Sequence, residues 1–495
     1  MIGSTTRRFA YALIIGMIPL VILRTNPVNG SLKEKNPSIV LITVDTLRAD
    51  HLGCYGYERE TSPAIDSLAK DGALFYEAIT PIPKTLPSLS SLLTGLHPKT
   101  HEVFALGMRL SDLHTLLPEI MKQRRYHTGG VVGQYNCHRK FGLGQGFDFY
   151  DDHFECIIQT ETAHEEGKFH PDSEKRAEYV VEKGIEWIKG LKDSPSPFFL
   201  WLHLMDPHAA YDPPGEYADY FTGPAPMTSR SYSGRYIDPE LIHPYARVRG
   251  ITEYDFYINK YDGEIAYMDS QVQRLFDFLK ATDHYNDALI ILTADHGEYM
   301  GEHDAQETCF THGHTLFESE ICVPLIIKFP GNAIHNRMVS SQVSLVDIFP
   351  TVLAVIGEQG VPCEGKNLLD LLEKGDTTHD SAAFIQLKEG KGLAVRKDRY
   401  KLIVETKYPV KKLIRRLKKH RNVGIRYTLY DLLQDPLERS NVYKNNRDAA
   451  MHLAEELFDW LAMSGTPDAG YAPINMLDEQ TIQHLKSLGY IQTGE

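Results

Sequence analysis

The chain has 495 residues, with 52 Lys and Arg against 66 Asp and Glu and a formal charge of −14. With 42% hydrophobic and 24% charged residues it can bury a large core, which excludes an intrinsically disordered chain. Its 37 Gly and 27 Pro follow no period, excluding collagen-like and low-complexity classes, and a pI near 5.9 argues against nucleic acid as a partner.

Arg7 and Arg8 precede an apolar run at 9–23 that ends at Arg24. A basic start followed by about fifteen apolar residues fits a secretory signal and is short for a membrane-spanning helix. Residues 1–36 are therefore expected to form a signal peptide, or an N-terminal membrane anchor, plus a linker. The protein is expected to be exported to a periplasmic or extracellular space. The cysteines at 54, 137, 156, 309, 322 and 363 are too dispersed for a disulfide scaffold, leave room for one or two disulfides, and form no CxxC motif.

Short apolar runs then follow at 38–43 (SIVLIT), 129–132, 198–204 (FFLWLHL), 288–293 (ALIILT) and 323–328 (VPLIIK). Continuous apolar strands separated by helical segments predict an α/β fold, with a mainly parallel sheet covered on both faces. Ser62 and Pro63 start a helix, Ser as N-cap, that closes at Gly72. Ile265, Met268, Val272, Leu275, Phe276 and Leu279 recur on one face of a helix before the fourth run. Residues 209–260, rich in Pro, Gly, Tyr and Ser, form a long excursion over the sheet's edge. After about 375 the pattern changes to short strands (392–395, 401–404, 427–430) and a helix near 446–462. A smaller α/β subdomain over 376–495 is expected beside a main domain over 37–375. Within it, a basic run at 411–421, from Lys411 to Arg421, carries Leu413, Ile414 and Leu417 at helical spacing. It is either a solvated helical face or a basic helix that contacts an anionic membrane surface or a polyanionic substrate.

Ligands of open α/β sheets bind beyond the carboxyl ends of strands. Three predicted strands end in metal-type residues: Asp45; His203 with Asp206 and His208; Asp295 with His296 and Glu298. Carboxylates and imidazoles are the ligands of zinc and manganese. Each alone reads equally as a cap or a loop end, but together they point to a metal centre. His312-Gly313-His314 precedes the last run, and either His can supply one more ligand. Pro87 suits the first turn of a helix and Gly95 its end, so Thr85 lies at a helix N-terminus, where an anion is favoured. A hydroxyl held there beside a metal can ionise to a nucleophile, while the alternative is that Thr85 or Ser88 caps the helix.

The chain resembles the sulfatase branch of the alkaline phosphatase superfamily. The resemblance rests on 38–57 (SIVLITVDTLRADHLGCYGY), 85–95 (TLPSLSSLLTG), His97-Pro98 with Thr100-His101, Gly146-Phe147-Asp148 and 206–214 (DPHAAYDPP). It continues through 261–269 (YDGEIAYMD), 295–298 with Gly301-Glu302-His303, 429–441 (LYDLLQDPLERSN) and 485–490 (LKSLGY). It implies a mixed, largely parallel sheet flanked by helices. The family's sulfatases carry a Cys-x-Pro-x-Arg nucleophile motif whose Cys becomes formylglycine. Here Thr85 stands at the Cys position, Pro87 is in place, and Leu89 stands where the Arg belongs. The family's acidic pair reads Asp45-Thr46, and its Asp-Asn reads Asp295-His296. Fewer carboxylates, an added imidazole and a Thr hydroxyl suit one or two Zn²⁺ or Mn²⁺ ions better than Ca²⁺. The resemblance implies one metal on Asp45, Asp295, His296 and the Thr85 oxygen, and a second on His312 or His314 with Asp206 or His208.

The expected function is a metal-dependent hydrolase or transferase that cleaves phosphate or phosphonate esters through Thr85, with His208 or Asn136 donating to the developing charge. The alternatives are a sulfatase that works without formylglycine and a non-catalytic binding protein that keeps the fold. The expected partner is an ester substrate, with an anionic glycan or a lipid headgroup as its chemistry.

Overall fold

The computed structural model describes residues 36–154, 174–191, 194–226, 236–303, 308–374, 382–387, 392–406, 408 and 424–463. The apolar run at 9–23, the basic run at 411–421 and the stretch at 485–490 lie outside the described residues. Among the described residues no helix is long and apolar enough to cross a membrane.

The large sheet contains β1 (Ile39–Val44), β2 (Ala73–Ile79), β3 (His127–Val132), β4 (Phe149–Asp151), β5 (Phe198–Leu204), β6 (Leu289–Ala294), β7 (Cys322–Lys328), β8 (Arg337–Val339) and β9 (Val343–Ser344). Their spatial order is β4-β3-β5-β1-β6-β7-β2-β8, with β9 also beside β2. Every residue of β1, β5 and β6 is buried, as expected of central strands covered on both faces. β7 alone among these runs against its neighbours, so the sheet is mixed but largely parallel. β2 carries no continuous apolar run, because Tyr76 and Glu77 are only half-buried. Glu77 instead accepts from Arg396 at 2.8 Å.

Register sets the site. Val44 pairs with Leu204 on one side and with Ala294 on the other, so three strands end level. Asp45, Met205 and Asp295 therefore emerge side by side, with His203 opposite Thr43 one step below.

Helix α1 (Pro63–Asp71) lies where the sequence predicts, but Ser62 does not cap it. The Ser62 hydroxyl accepts from the Gly53 N–H at 2.9 Å and donates to Asp66 at 3.0 Å. The free N–H groups of Ala64 and Ile65 go instead to the Asp269 carboxylate, at 2.9 Å each, from the long helix Tyr254–Ala281. The same long helix buries Asp262, which accepts from Tyr57 Oη and Arg59 Nη1 and meets His51 Nδ1, all at 2.6 Å. Removing one partner of a buried charge cluster strands the others. Asp262→Ala is expected to cost roughly 3 kcal/mol, measured by chemical denaturation.

The second sheet is antiparallel: β10 (Ala383–Gln386), β11 (Gly392–Lys397), β12 (Tyr400–Glu405) and β13 (Arg426–Asp431), in that order. The helix Arg447–Ala462 covers it through Ala450, Leu453, Ala454, Leu457 and Leu461. Buried Lys401 of β12 ties the small sheet to the segment that precedes β7, donating to Leu316 O at 2.8 Å and to Glu318 at 3.0 Å. The composition left room for disulfides, but among the described cysteines, Cys54, Cys137, Cys309, Cys322 and Cys363, no two are joined to one another. Cys156 lies outside the described residues.

Candidate metal and nucleophile centre

Helix α2 (Thr85–Thr94) is buried along its whole length and ends at Gly95, whose φ of +67° suits glycine. Its N-cap is Lys84, in extended conformation, and no side chain caps the helix. Thr85 and Ser88 are thus free of the capping role that the sequence left open. The Ser88 hydroxyl donates to Asp295 O at 2.7 Å, tying α2 to the end of β6. The Thr85 hydroxyl faces the strand ends, with Oγ1 3.4 Å from Asp45 Oδ2 and 3.3 Å from His296 Nε2.

His296 Nε2 lies 3.4 Å from Asp295 Oδ2 and 3.8 Å from Asp45 Oδ1, and His203 Nε2 lies 3.7 Å from Asp45 Oδ2. These separations sit at or beyond the limit of a hydrogen bond. They match the edge, about 3.4 Å, of a tetrahedron with metal bonds of about 2.1 Å. Asp45 Oδ1, Asp295 Oδ2 and His203 Nε2 are buried with no hydrogen-bond partner. Asp45, His203 and Asp295 each offer one ligand-type atom within 4.8 Å of the others. The residues fit a divalent cation. The tautomer of His296 fits too, since its Nδ1–H donates to Gly297 O at 2.9 Å and leaves the Nε2 lone pair facing inward.

Burial opposes the Asp45 charge, but His208, His203 and His296 outweigh it and hold the carboxyl below its ordinary range. Asp295 goes the other way. Burial, then the charge of Asp45, pushes it up to about 6. Two buried carboxylates that repel one another are what a cation would neutralise.

Beside this centre stands a wall of imidazoles. Gly313, at φ +77° with its α-carbon against the Lys84 side chain, turns the chain so that His312 faces in while His314 is exposed. The His312 ring lies 4.4 Å from that of His296 and 5.1 Å from that of His208. Its Nδ1 is 3.3 Å from Glu298 Oε1. Burial, with His296, His208, His314 and Lys84 nearby, drives the His312 pKa well down. The His208 Nδ1–H donates to Ala209 O at 2.6 Å, so Nε2 is its working nitrogen. Burial also lowers the His208 pKa, against the pull of Asp45.

One sequence expectation needs correction and another is met only in part. Asp206 is no ligand, because its carboxylate accepts from Ala177 N at 2.6 Å and Arg176 Nη1 at 3.0 Å, capping the helix Ala177–Gly190. Of the second metal set, His312 or His314 with Asp206 or His208, Asp206 is thus engaged and His314 is exposed, while His312 and His208 face each other with ring centres 5.1 Å apart. Among the described residues the metal-type group is that of Asp45, His203 and Asp295. His303, from the Gly301-Glu302-His303 stretch, stacks on Phe317 with ring centres 3.6 Å apart.

His203, a metal-type residue at a strand end in the sequence, lies at the centre, and one further residue there is not singled out by the sequence. Gln134 donates to Asp45 Oδ2 at 2.6 Å, and its position two residues beyond β3 was the available signal. Asn136 is buried with both amide atoms unpartnered. Tyr245 and His243, their rings 3.9 Å apart, come from the 209–260 excursion and close the far side against His208 and His312.

Comparison with known proteins places these features in a class of ester hydrolases. The sulfatase sequence profile matches residues 37–358, and that of the N-sulphoglucosamine sulphohydrolase C-terminal region matches 306–462. The chain belongs to the sulfatase family of the alkaline phosphatase superfamily, whose members use a divalent metal. It is 26% identical to an arylsulfatase of Clostridium perfringens, over 69% of this chain and 79% of that one. It is 23% identical to an N-acetylglucosamine-6-O-sulfatase of Bacteroides thetaiotaomicron, over 89% and 90% of the two chains. The solved phosphonate monoester hydrolase of Agrobacterium radiobacter shares the fold, with a TM-score of 0.67, 22% identity, and 86% and 95% of the two chains covered.

Proposed function

We propose that this protein is a metal-dependent hydrolase of phosphodiesters or phosphonate monoesters in which Thr85 is the nucleophile. The observation that carries the reading is Thr85 itself. It is the first residue of α2, and its hydroxyl lies 3.3–3.4 Å from His296 and Asp45, where the family's sulfatases need a Cys that can be oxidised. Asp45, Asp295, His296 and the Thr85 oxygen would hold the ion. When bound, the ion offsets the two carboxylates and favours the ionised hydroxyl.

In this reading Thr85 enters as its alkoxide, its proton having gone to solvent, and Oγ attacks phosphorus. The P–O bond to the leaving group breaks, and His208, protonated at Nε2 against the bound anion, delivers that proton to the departing oxygen. Water, or an acceptor hydroxyl, then attacks the phospho-threonine. His208 takes its proton, and the threonine oxygen leaves. Asn136 offers a neutral donor to the charge that develops on the phosphoryl oxygens.

The test is a substrate panel of nitrophenyl phosphonate, phosphodiester and sulfate esters, run on protein loaded with Zn²⁺ or Mn²⁺. Preference for the phosphorus esters is expected, and turnover of the sulfate ester alone would overturn the reading. That second outcome has support in the sulfatases among the relatives. His208→Ala is expected to slow esters of poor alkyl leaving groups by about 100-fold or more and to spare nitrophenyl esters, seen by comparing kcat/KM across leaving groups.

The substrate is proposed to be an anionic glycan or lipid-headgroup ester met outside the cytoplasm. The apolar run at 9–23 behind Arg7 and Arg8 and the basic run at 411–421 support this. Cell fractionation tests the location.

A further inference from the structure

We infer that His203 is a direct ligand of the metal, so that the centre is built from two imidazoles and two carboxylates with the Thr85 oxygen, and not from His296 alone on the nitrogen side. The inference rests on the metal-dependent reading above but not on which ester is cleaved.

The backbone puts His203 there. Thr43 and Asp45, two apart on one strand, face the same side of the sheet, and His203 is in register with Thr43 on the neighbouring parallel strand. All three side chains therefore lie on one face, and His203 is fully buried between them. Its Nδ1 is 2.9 Å from Thr43 Oγ1. That oxygen also accepts from Trp201 Nε1 at 2.9 Å and can pass its own proton to Leu202 O at 3.4 Å. Thr43 Oγ1 thus has a second lone pair for the His203 Nδ1–H. In this tautomer the buried Nε2 presents its lone pair toward Asp45 Oδ2, 3.7 Å away and beyond a normal hydrogen-bond length. A metal-bound histidine ordinarily donates its other ring N–H in just this manner.

The position also answers a deficit. Thr46 stands where the family's sulfatases place a second carboxylate, and what it contributes is its backbone N–H, to Asp295 Oδ1 at 3.3 Å. That contact leaves Asp295 Oδ2 facing inward. His203, arriving from the opposite side of Asp45, supplies a donor in place of the missing oxygen. Nitrogen for oxygen shifts the preference from a hard ion such as Ca²⁺ toward one of the zinc type.

The experiment uses the full chain, stripped of metal and reloaded. X-ray absorption on the zinc-loaded wild type counts imidazoles directly. Two are expected, and one would overturn the inference. Calorimetric titration of His203→Asn and His203→Phe is expected to show zinc affinity lower by about 100-fold or more, with calcium affinity changed far less. The visible spectrum of the cobalt-loaded variants should also shift. Both variants should match the metal-free wild type in melting temperature, which separates ligand loss from misfolding. Unchanged zinc affinity and cobalt spectrum in folded variants would mean that His203 merely donates from Nε2 to Asp45. Two imidazoles on a protein that cleaves no ester would leave this inference standing and remove the proposed function.

Discussion

Thr85→Ala is expected to lower turnover of whatever ester the protein cleaves by on the order of 10⁴-fold or more, with KM little changed. The structure makes this a clean experiment. Thr85 is buried and caps nothing, and Ala is the best helix former, so α2 should keep its place while losing one oxygen. Thr85→Ser retains the oxygen and should keep turnover within about 100-fold of wild type, the cost being a looser rotamer. Thr85→Cys is expected to stay near the alanine level, because Leu89 stands where the formylglycine motif needs Arg. Steady-state kinetics on the three variants checks the order Ser above Cys and Ala. Full turnover by Thr85→Ala would end the nucleophile assignment.

Removal of the metal should lower the stability of the fold. An ion present at a thousandfold excess over its Kd adds about 4 kcal/mol to the folded state, so chelation is expected to lower the melting temperature by several degrees. The cause lies in Asp45 and Asp295, both fully buried and close enough to repel. Asp295→Asn is therefore expected to act in opposite directions. It should raise the melting temperature of the stripped protein, where one charge fewer is an advantage, and should abolish both the metal-induced rise and turnover. Differential scanning calorimetry with and without Zn²⁺ reads both. A melting temperature that ignores metal and chelator alike would remove the centre.

Asp45, Asp295 and His296 are legible in the sequence because parallel strands end level and the loops beyond them carry ligands. Two limits of that logic show in the structure. His203 is legible as a metal-type residue near a strand end, but only the register with Thr43 reveals where its imidazole points. Asp206 has the right chemistry in the right place, yet Arg176 and Ala177, some thirty positions earlier in the chain, consume it. Local pattern cannot see a partner chosen by tertiary packing. β2 was missed for a related reason. Its half-buried Tyr76 and Glu77 make sense only once the small sheet is docked against it. Ser62 shows the same effect at a helix end, where Asp269, distant in sequence, takes the capping role.

The joint between the two sheets reaches the centre in a few contacts. Lys401 grips Leu316 O and Glu318, while Glu320 accepts from the N–H groups of Gly313 and Thr315 and its backbone carbonyl accepts from Gly297 N at 2.9 Å. The turns that carry His312 and His296 thus hang from a segment braced by the smaller sheet. The C-terminal part of the chain is in this sense a tuning element: drift in the β11–β12 hairpin would move the imidazole wall without altering any residue that touches the ester. Divergence of substrate range within such a scaffold can therefore accumulate far from Thr85, where the chemistry itself stays intact.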